Sequence, residues 1–134
     1  MSHYNDRIIA EFRENGGRVQ NFGSSLVLLH TVGAKSGEPR ISPVLGIADG
    51  DAWLVIASAG GSPRHPAWYF NIEARPDVAI ETPTGTVDVH ATALDGAEYD
   101  AAWTRFVARS PAFEQYAQRT DGRTMPILRL SPRQ

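Results

Sequence analysis

TVGAKSGEPRISPVL, residues 31–45, joins two apolar runs through a turn punctuated by glycine and proline and carries Lys35, the one lysine of the protein. Gly33 and Gly37 permit tight or left-handed backbone, and Pro39 fixes its own φ while giving up a donor. A compact connection between two strands follows. Within it the N–H groups from Ala34 to Gly37 can converge on one concavity, an anion-binding nest, with Lys35 and Arg40 supplying positive charge. The plainer alternative is a hairpin connection whose cations are merely solvated.

Working outward, residues 26–31 form an apolar run bounded by turns, as a buried strand requires, and residues 40–47 form its partner. Pro43 cannot donate to a ladder, so this second strand is expected to lie at an edge or to carry a bulge, leaving backbone groups at residues 42–45 for a ligand. Asp49-Gly50 turns the chain into a third strand, 53–58. The segment after it, SAGGSPRHPAWYFN (58–71), is the second candidate site. Gly60 and Gly61 let the backbone pass close to a ligand, and Pro66 opens a helix, 66–74, whose first amides face the glycine loop. Trp68 on that helix serves equally well as core filler. The four histidines show no metal-ligand spacing, and no metal is expected.

Residues 78–81 and 86–93 read as a hairpin, and 125–130 as a closing strand. Asp95 to Glu98 resembles a capping box ahead of a helix with Tyr99, Ala102, Trp103 and Phe106 on one face. Pro111 opens another helix with Phe113, Tyr116 and Ala117 together. At the N-terminus, residues 4–14 have the spacing of a short amphipathic helix that ends at Asn15-Gly16-Gly17. It is expected to pack as a lid, with contact to a membrane surface or a second subunit as the alternatives. Six strands, four helices and mostly hairpin connections favour an antiparallel barrel with helices packed outside over a parallel βαβ fold.

At 134 residues the chain reads as one domain (1–134: helical segment 1–16, barrel core 26–130), able to bury roughly two thirds of its unfolded surface. Thirteen basic and fifteen acidic side chains leave a net charge of −2 with no basic run, so nucleic acid is not an expected partner. With no cysteine there are no disulfides and no thiolate chemistry, and without a leader-like apolar segment a cytoplasmic location is expected. No nucleophile paired with a base and no carboxylate pair can be picked out. An enzyme built from these residues borrows its reactivity from a cofactor.

The stretches LLHTVGAKSGEPRISPV (28–44), ASAGGSPRHPAWYFNIEARPDV (57–78) and RTDGRTMPILRL (119–130) resemble the deazaflavin-dependent nitroreductases and quinone reductases. The paired motifs are G-x-K-S-G-x-x-R and A-S-x-G-G-x-x-x-x-P-x-W-Y-x-N. The resemblance implies an α+β, mostly β split barrel of the FMN-binding kind that binds coenzyme F420. It places the cofactor phosphate on Lys35, Ser36 and Arg40, beside Ala34. Main-chain groups of Ile41, Ser42, Pro43, Val44, Leu45, Ile56, Ala57, Ser58 and Ala59 would line the deazaflavin, and the stretch Ala67, Trp68, Tyr69, Phe70 and Asn71 its far edge.

The same resemblance implies hydride donation from C5 of the reduced ring to a quinone or nitro-aromatic acceptor held about 3–3.5 Å away. Trp68, Phe113 and Tyr116 would shape the acceptor cavity, and Tyr116 or Ser58 would donate to the oxygen that gains charge. Members that reduce nitro compounds carry tyrosines where this chain has Ser110 and Phe113, so nitroimidazole reduction is expected to be weak or absent. An FMN-using split-barrel enzyme and a non-catalytic F420 carrier are the alternatives, and a homodimer stays open.

Overall fold

The structure, a computed structural model, describes residues 3–20, 23, 25–58, 64–120 and 124–133. Ten elements follow one another: α1 (His3–Glu14), β1 (Leu26–Val32), β2 (Pro39–Asp49), β3 (Ala52–Ile56), α2 (Ala67–Ala74), β4 (Asp77–Thr82), β5 (Gly85–Ala93), α3 (Gly96–Arg109), α4 (Ala112–Arg119) and β6 (Ile127–Pro132). The strands close a barrel in the order β1-β2-β3-β6-β5-β4, every pair antiparallel. This is the expected barrel with external helices.

Strand alternation explains where each helix docks, because successive side chains point to opposite faces. Val27 and Leu29 of β1, Val44 of β2, Val55 of β3, Ile80, Val89 and Leu130 fill the interior. Trp68 and Ile72 of α2 join that cluster, so this helix plugs the barrel. The intervening residues point outward and need cover. Leu26 and Leu28 pack under Ile8 and Phe12 of α1, while Leu54, Ile56 and Ile127 pack under Ala102 and Phe106 of α3 and Phe113 of α4. Both faces of β1 and β3 are therefore apolar, which is why these strands appear in the sequence as continuous hydrophobic runs.

Three expectations are refined. Pro43 does not break the ladder, since β2 runs in unbroken register with β1 from Leu26↔Leu45 to Val32↔Pro39. Gly46 N–H donates to the Ser25 carbonyl at 2.9 Å, so alternation turns residues 42 and 44 toward β1 and Pro43 toward the other edge. On that edge β2 pairs with β3 only from Gly46↔Val55 onward, and residues 39–45 have no strand partner there among the described residues. Asp95 sits at the N-cap of α3 but makes no side-chain cap bond, and Glu98 instead receives Arg129 at 2.8 Å. Finally, the apolar face of α1 is spent on the barrel: Ile8 and Phe12 are buried. No helix among the described residues is long and apolar enough to cross a membrane.

Candidate functional site

The turn between β1 and β2, with the start of β2, faces α2 across one groove of about 650 Å³. One wall is Gly33, Ala34, Lys35, Ser36, Arg40 and Ser42, and the other is Ala67, Trp68, Phe70 and Asn71 of α2. Two motifs separated by about thirty residues of chain thus meet across a cleft, as the resemblance required.

The Lys35 turn is built largely by its own backbone. Gly37 takes φ +72° and donates to the Gly33 carbonyl at 2.9 Å, while Gly33 N–H donates to the Glu38 carbonyl at 2.8 Å. A Cβ on Gly33 would lie 2.4 Å from Ser36 Oγ, which itself accepts Glu38 N–H at 3.2 Å. Ala34 N–H donates to Asn71 Oδ1 at 2.9 Å, and Asn71 Nδ2 donates to Thr31 Oγ1 at 3.2 Å. The expected nest is accordingly smaller. Ala34 and Gly37 spend their amides inside the fold, and among the described residues the N–H groups of Lys35 and Ser36 are those without a protein acceptor.

Positive charge is uneven across the turn. Arg40 donates to Glu38 Oε2 at 3.4 Å and to the Pro39 carbonyl at 3.2 Å, so its charge is part-neutralised. Lys35 has no ion-pair partner among the described residues. Behind α2, Tyr69 donates to Glu73 Oε2 at 3.1 Å, and burial, then that carboxylate, pushes its phenol above the ordinary range.

The remaining candidates distribute as follows. Val44 and Ala57 are core residues of the barrel interior, with the backbone of Val44 turned toward β1 and Ala57 N–H donated to the Pro126 carbonyl at 2.8 Å. Leu45 and Ile56 point outward into the cluster that holds Phe113 and Tyr116, and Ile41 packs toward α1. Phe113 is 4% exposed and meets Phe106 edge-on at 5.6 Å, with Tyr116 edge-on to Phe113 at 5.7 Å. The structure therefore does not bring Phe113 and Tyr116 together with Trp68: the former pack outside the barrel wall, the latter inside it. Helical spacing correctly put Phe113 and Tyr116 on one face but carried no information about which side of the sheet that face would meet. Ser58 follows β3 and is not part of the groove lining, and Ala59 lies outside the described residues. Gly33 lines the groove without having been expected as a ligand contact, and Phe70, within the 67–71 stretch, lines it as well. Phe70 was legible as the residue three beyond Ala67 and one before Asn71, on their shared helical face.

A groove with an ammonium, a guanidinium, two amides and the hydroxyls of Ser36 and Ser42 at one end fits an anion. The family model described as F420H(2)-dependent quinone reductase matches residues 5–132. The chain belongs to that family. It is an F420-dependent oxidoreductase on the split-barrel fold. Among its relatives, the F420H(2)-dependent quinone reductase Rv1261c of Mycobacterium tuberculosis is 38% identical over 122 residues, covering 88% of this chain and 80% of the relative. A solved F420-H2 dependent reductase, FDR-A, superposes with a TM-score of 0.72 at 33% identity, covering 80% of this chain and 94% of the other. A chain described as a domain-swapped dimer superposes with a TM-score of 0.75 at 30% identity, covering 94% and 96%. A heme storage protein of Vibrio cholerae, 20% identical with a TM-score of 0.61 over 94% of this chain and 88% of that one, shares the fold.

Proposed function

We propose that this member of the F420H(2)-dependent quinone reductase family reduces a quinone and grips F420 by its anionic end at the Lys35 turn. The observation that carries this is the shared groove in which Lys35, Ser36 and Arg40 stand across from Ala67, Trp68 and Asn71. When bound, reduced F420 supplies the hydride for the acceptor. Lys35 and Arg40 neutralise the anion, the amides of Lys35 and Ser36 donate to it, and Ser36 and Ser42 add hydroxyls. Backbone of residues 41–45 and 56–58 flanks the flat body, and the barrel plug of Trp68 and Ile72 keeps water from beneath it.

Phe113 lies in a sealed apolar contact, so no phenol is available at that position for a nitro group, and quinones are the favoured acceptors. The domain-swapped neighbour supports a homodimer, to be measured by light scattering.

The test is a titration of purified protein with F420, repeated on Lys35→Ala, followed by oxidation of F420H(2) in the presence of a quinone panel and a nitroimidazole. Expected are saturable binding that Lys35→Ala weakens, quinone-dependent turnover, and little turnover with the nitro compound. A protein that purifies yellow with flavin fluorescence points instead to FMN, and tight F420 binding with no acceptor reduced points to a carrier.

A further inference from the structure

The barrel has two ends, and the groove with Lys35 occupies the one where β1 reaches Val32 and β2 begins at Pro39. At the other end, about 20 Å away along β1, lies a separate cavity of about 590 Å³. Ile47, Trp53, Pro83 and Ala108 give it apolar walls, and Arg105 and Arg109 of α3 line it as well. Trp53 is half-buried and packs against the interior cluster of the barrel. Gly46 makes room for it, since a Cβ there would lie 3.0 Å from Trp53 Cε3. A glycine inside a strand costs stability and marks a close approach, so β2 gives up packing to seat the indole at this mouth.

The two guanidiniums are held before any ligand arrives. Arg105 donates to Asp49 Oδ1 at 3.0 Å and to the Ala48 carbonyl at 2.9 Å, and Arg109 Nε donates to Ser25 Oγ at 3.1 Å. One helical turn apart on α3, the two cations repel each other. Asp49 relieves Arg105 only in part, because its other oxygen faces Arg129 at 3.4 Å. A carboxylate set beside both forks offsets that repulsion, and a flat ring attached to it covers the exposed part of Trp53. We propose that this mouth of the barrel is a second small-molecule site, for an aromatic carboxylate whose ring stacks on Trp53 and whose anion is held by Arg105 and Arg109. The cavity is within the size range of such sites. Because the indole and both guanidiniums are placed beforehand, little side-chain freedom is lost on binding. None of these residues lines the Lys35 groove, so the site is independent of what that groove binds.

The experiment titrates naphthoate into wild type, Arg109→Ala, Ala108→Trp and Lys35→Ala by calorimetry, with acetate and the neutral naphthamide as comparison ligands and a thermal melt of each protein. The indole N–H resonance of Trp53, assigned through Trp53→Phe, reports where the ligand sits. Expected is saturable naphthoate binding at about 1 mM or tighter that shifts the Trp53 resonance. Acetate and naphthamide bind roughly tenfold more weakly or worse. Arg109→Ala weakens naphthoate about tenfold, and the loss shrinks at high salt. Ala108→Trp removes binding by filling the cavity, and Lys35→Ala leaves it unchanged. Absence of naphthoate binding by wild type overturns the site. So does binding that is lost in Lys35→Ala and kept in Ala108→Trp, which puts the ligand in the other groove. Naphthamide binding as tightly as naphthoate overturns the role of the arginines. Should Arg109→Ala melt lower than wild type, Ala108→Trp, at an exposed helix position, decides: retained naphthoate binding overturns the proposal, and lost binding with a wild-type melt supports it.

Discussion

Asn71 Oδ1 accepts the Ala34 amide at 2.9 Å across 37 residues of sequence, and the other end of the same amide donates to Thr31 Oγ1. One buried side chain therefore ties the helix that plugs the barrel to the turn that carries Lys35. Asn71→Ala orphans the Ala34 N–H and the buried Thr31 hydroxyl, a loss of about 1–3 kcal/mol that lowers the melting temperature by several degrees. F420 binding weakens too, because the turn loses its anchor and the groove loses part of a wall. Asn71→Asp keeps an acceptor for Ala34 and recovers part of the stability, but it sets a carboxylate beneath the anion turn. Its F420 affinity is expected to stay low. Melting curves and titrations of the two variants separate these effects.

Gly33 is constrained by a neighbour rather than by its φ. An alanine there brings its Cβ to 2.4 Å from Ser36 Oγ, so the hydroxyl must rotate away and release Glu38 N–H. Gly33→Ala is expected to cost about 1 kcal/mol of stability and to weaken F420 binding. In a Ser36→Ala background the obstruction is gone, and adding Gly33→Ala changes little. The measurement is a double-mutant cycle by urea unfolding, and an additive cycle would show that the contact is irrelevant.

What the sequence made legible follows from how local the causes are. Each strand was bracketed by its own Gly, Pro or Asp-Gly turn, and Pro66 sat at the cap of α2 with φ −65°, so elements and their order could be read directly. Lys35 and Trp68, one from each motif, line one groove. The bond from Asn71 to Ala34 is set by tertiary placement and leaves no periodic trace. Phe113 and Tyr116 were misassigned to the cavity of Trp68 because helical spacing defines a face but not the side of a barrel wall against which it docks. Of the two readings of Pro43, an edge or a bulge, the structure shows the edge: strand alternation turns it away from β1, toward the side of β2 with no strand partner among the described residues.

Glu38 sits 3.4 Å from Arg40 and competes with any incoming anion. Both side chains are largely exposed, so the pair is worth about 0.2–1 kcal/mol. Glu38→Gln is expected to tighten F420 binding roughly 1.5- to 5-fold at low salt, with the gain fading at high salt. Arg40→Ala then costs more affinity in the Glu38→Gln background than in wild type. Titration of the four proteins checks this. Identical effects of Arg40→Ala in both backgrounds would mean that Glu38 does not restrain Arg40.

Glu81 anchors α1 to the barrel through Arg13, which reaches its two oxygens at 3.1 and 2.7 Å, and it also holds His30 Nε2 at 2.6 Å. The Arg13 hydrogen bond first, and the His30 contact after it, hold the Glu81 carboxyl below its ordinary value of 4.5. A carboxylate whose pKa is depressed by folding stabilises the native state above its unfolded pKa and loses that contribution as pH falls through the folded one. Asp77, lowered by its hydrogen bond from His90, acts in the same direction, so acid destabilisation of wild type has more than one source. Glu81→Gln isolates the share of Glu81. At pH 7 the variant is expected to be about 0.5–1 kcal/mol less stable than wild type, as for a modest ion pair. Below pH 4.5 the difference narrows, because wild-type Glu81 takes up the proton that glutamine never binds. Urea unfolding across pH 3–7 reads this directly, and a gap that stayed constant over that range would show that Glu81 contributes through packing rather than through its charge.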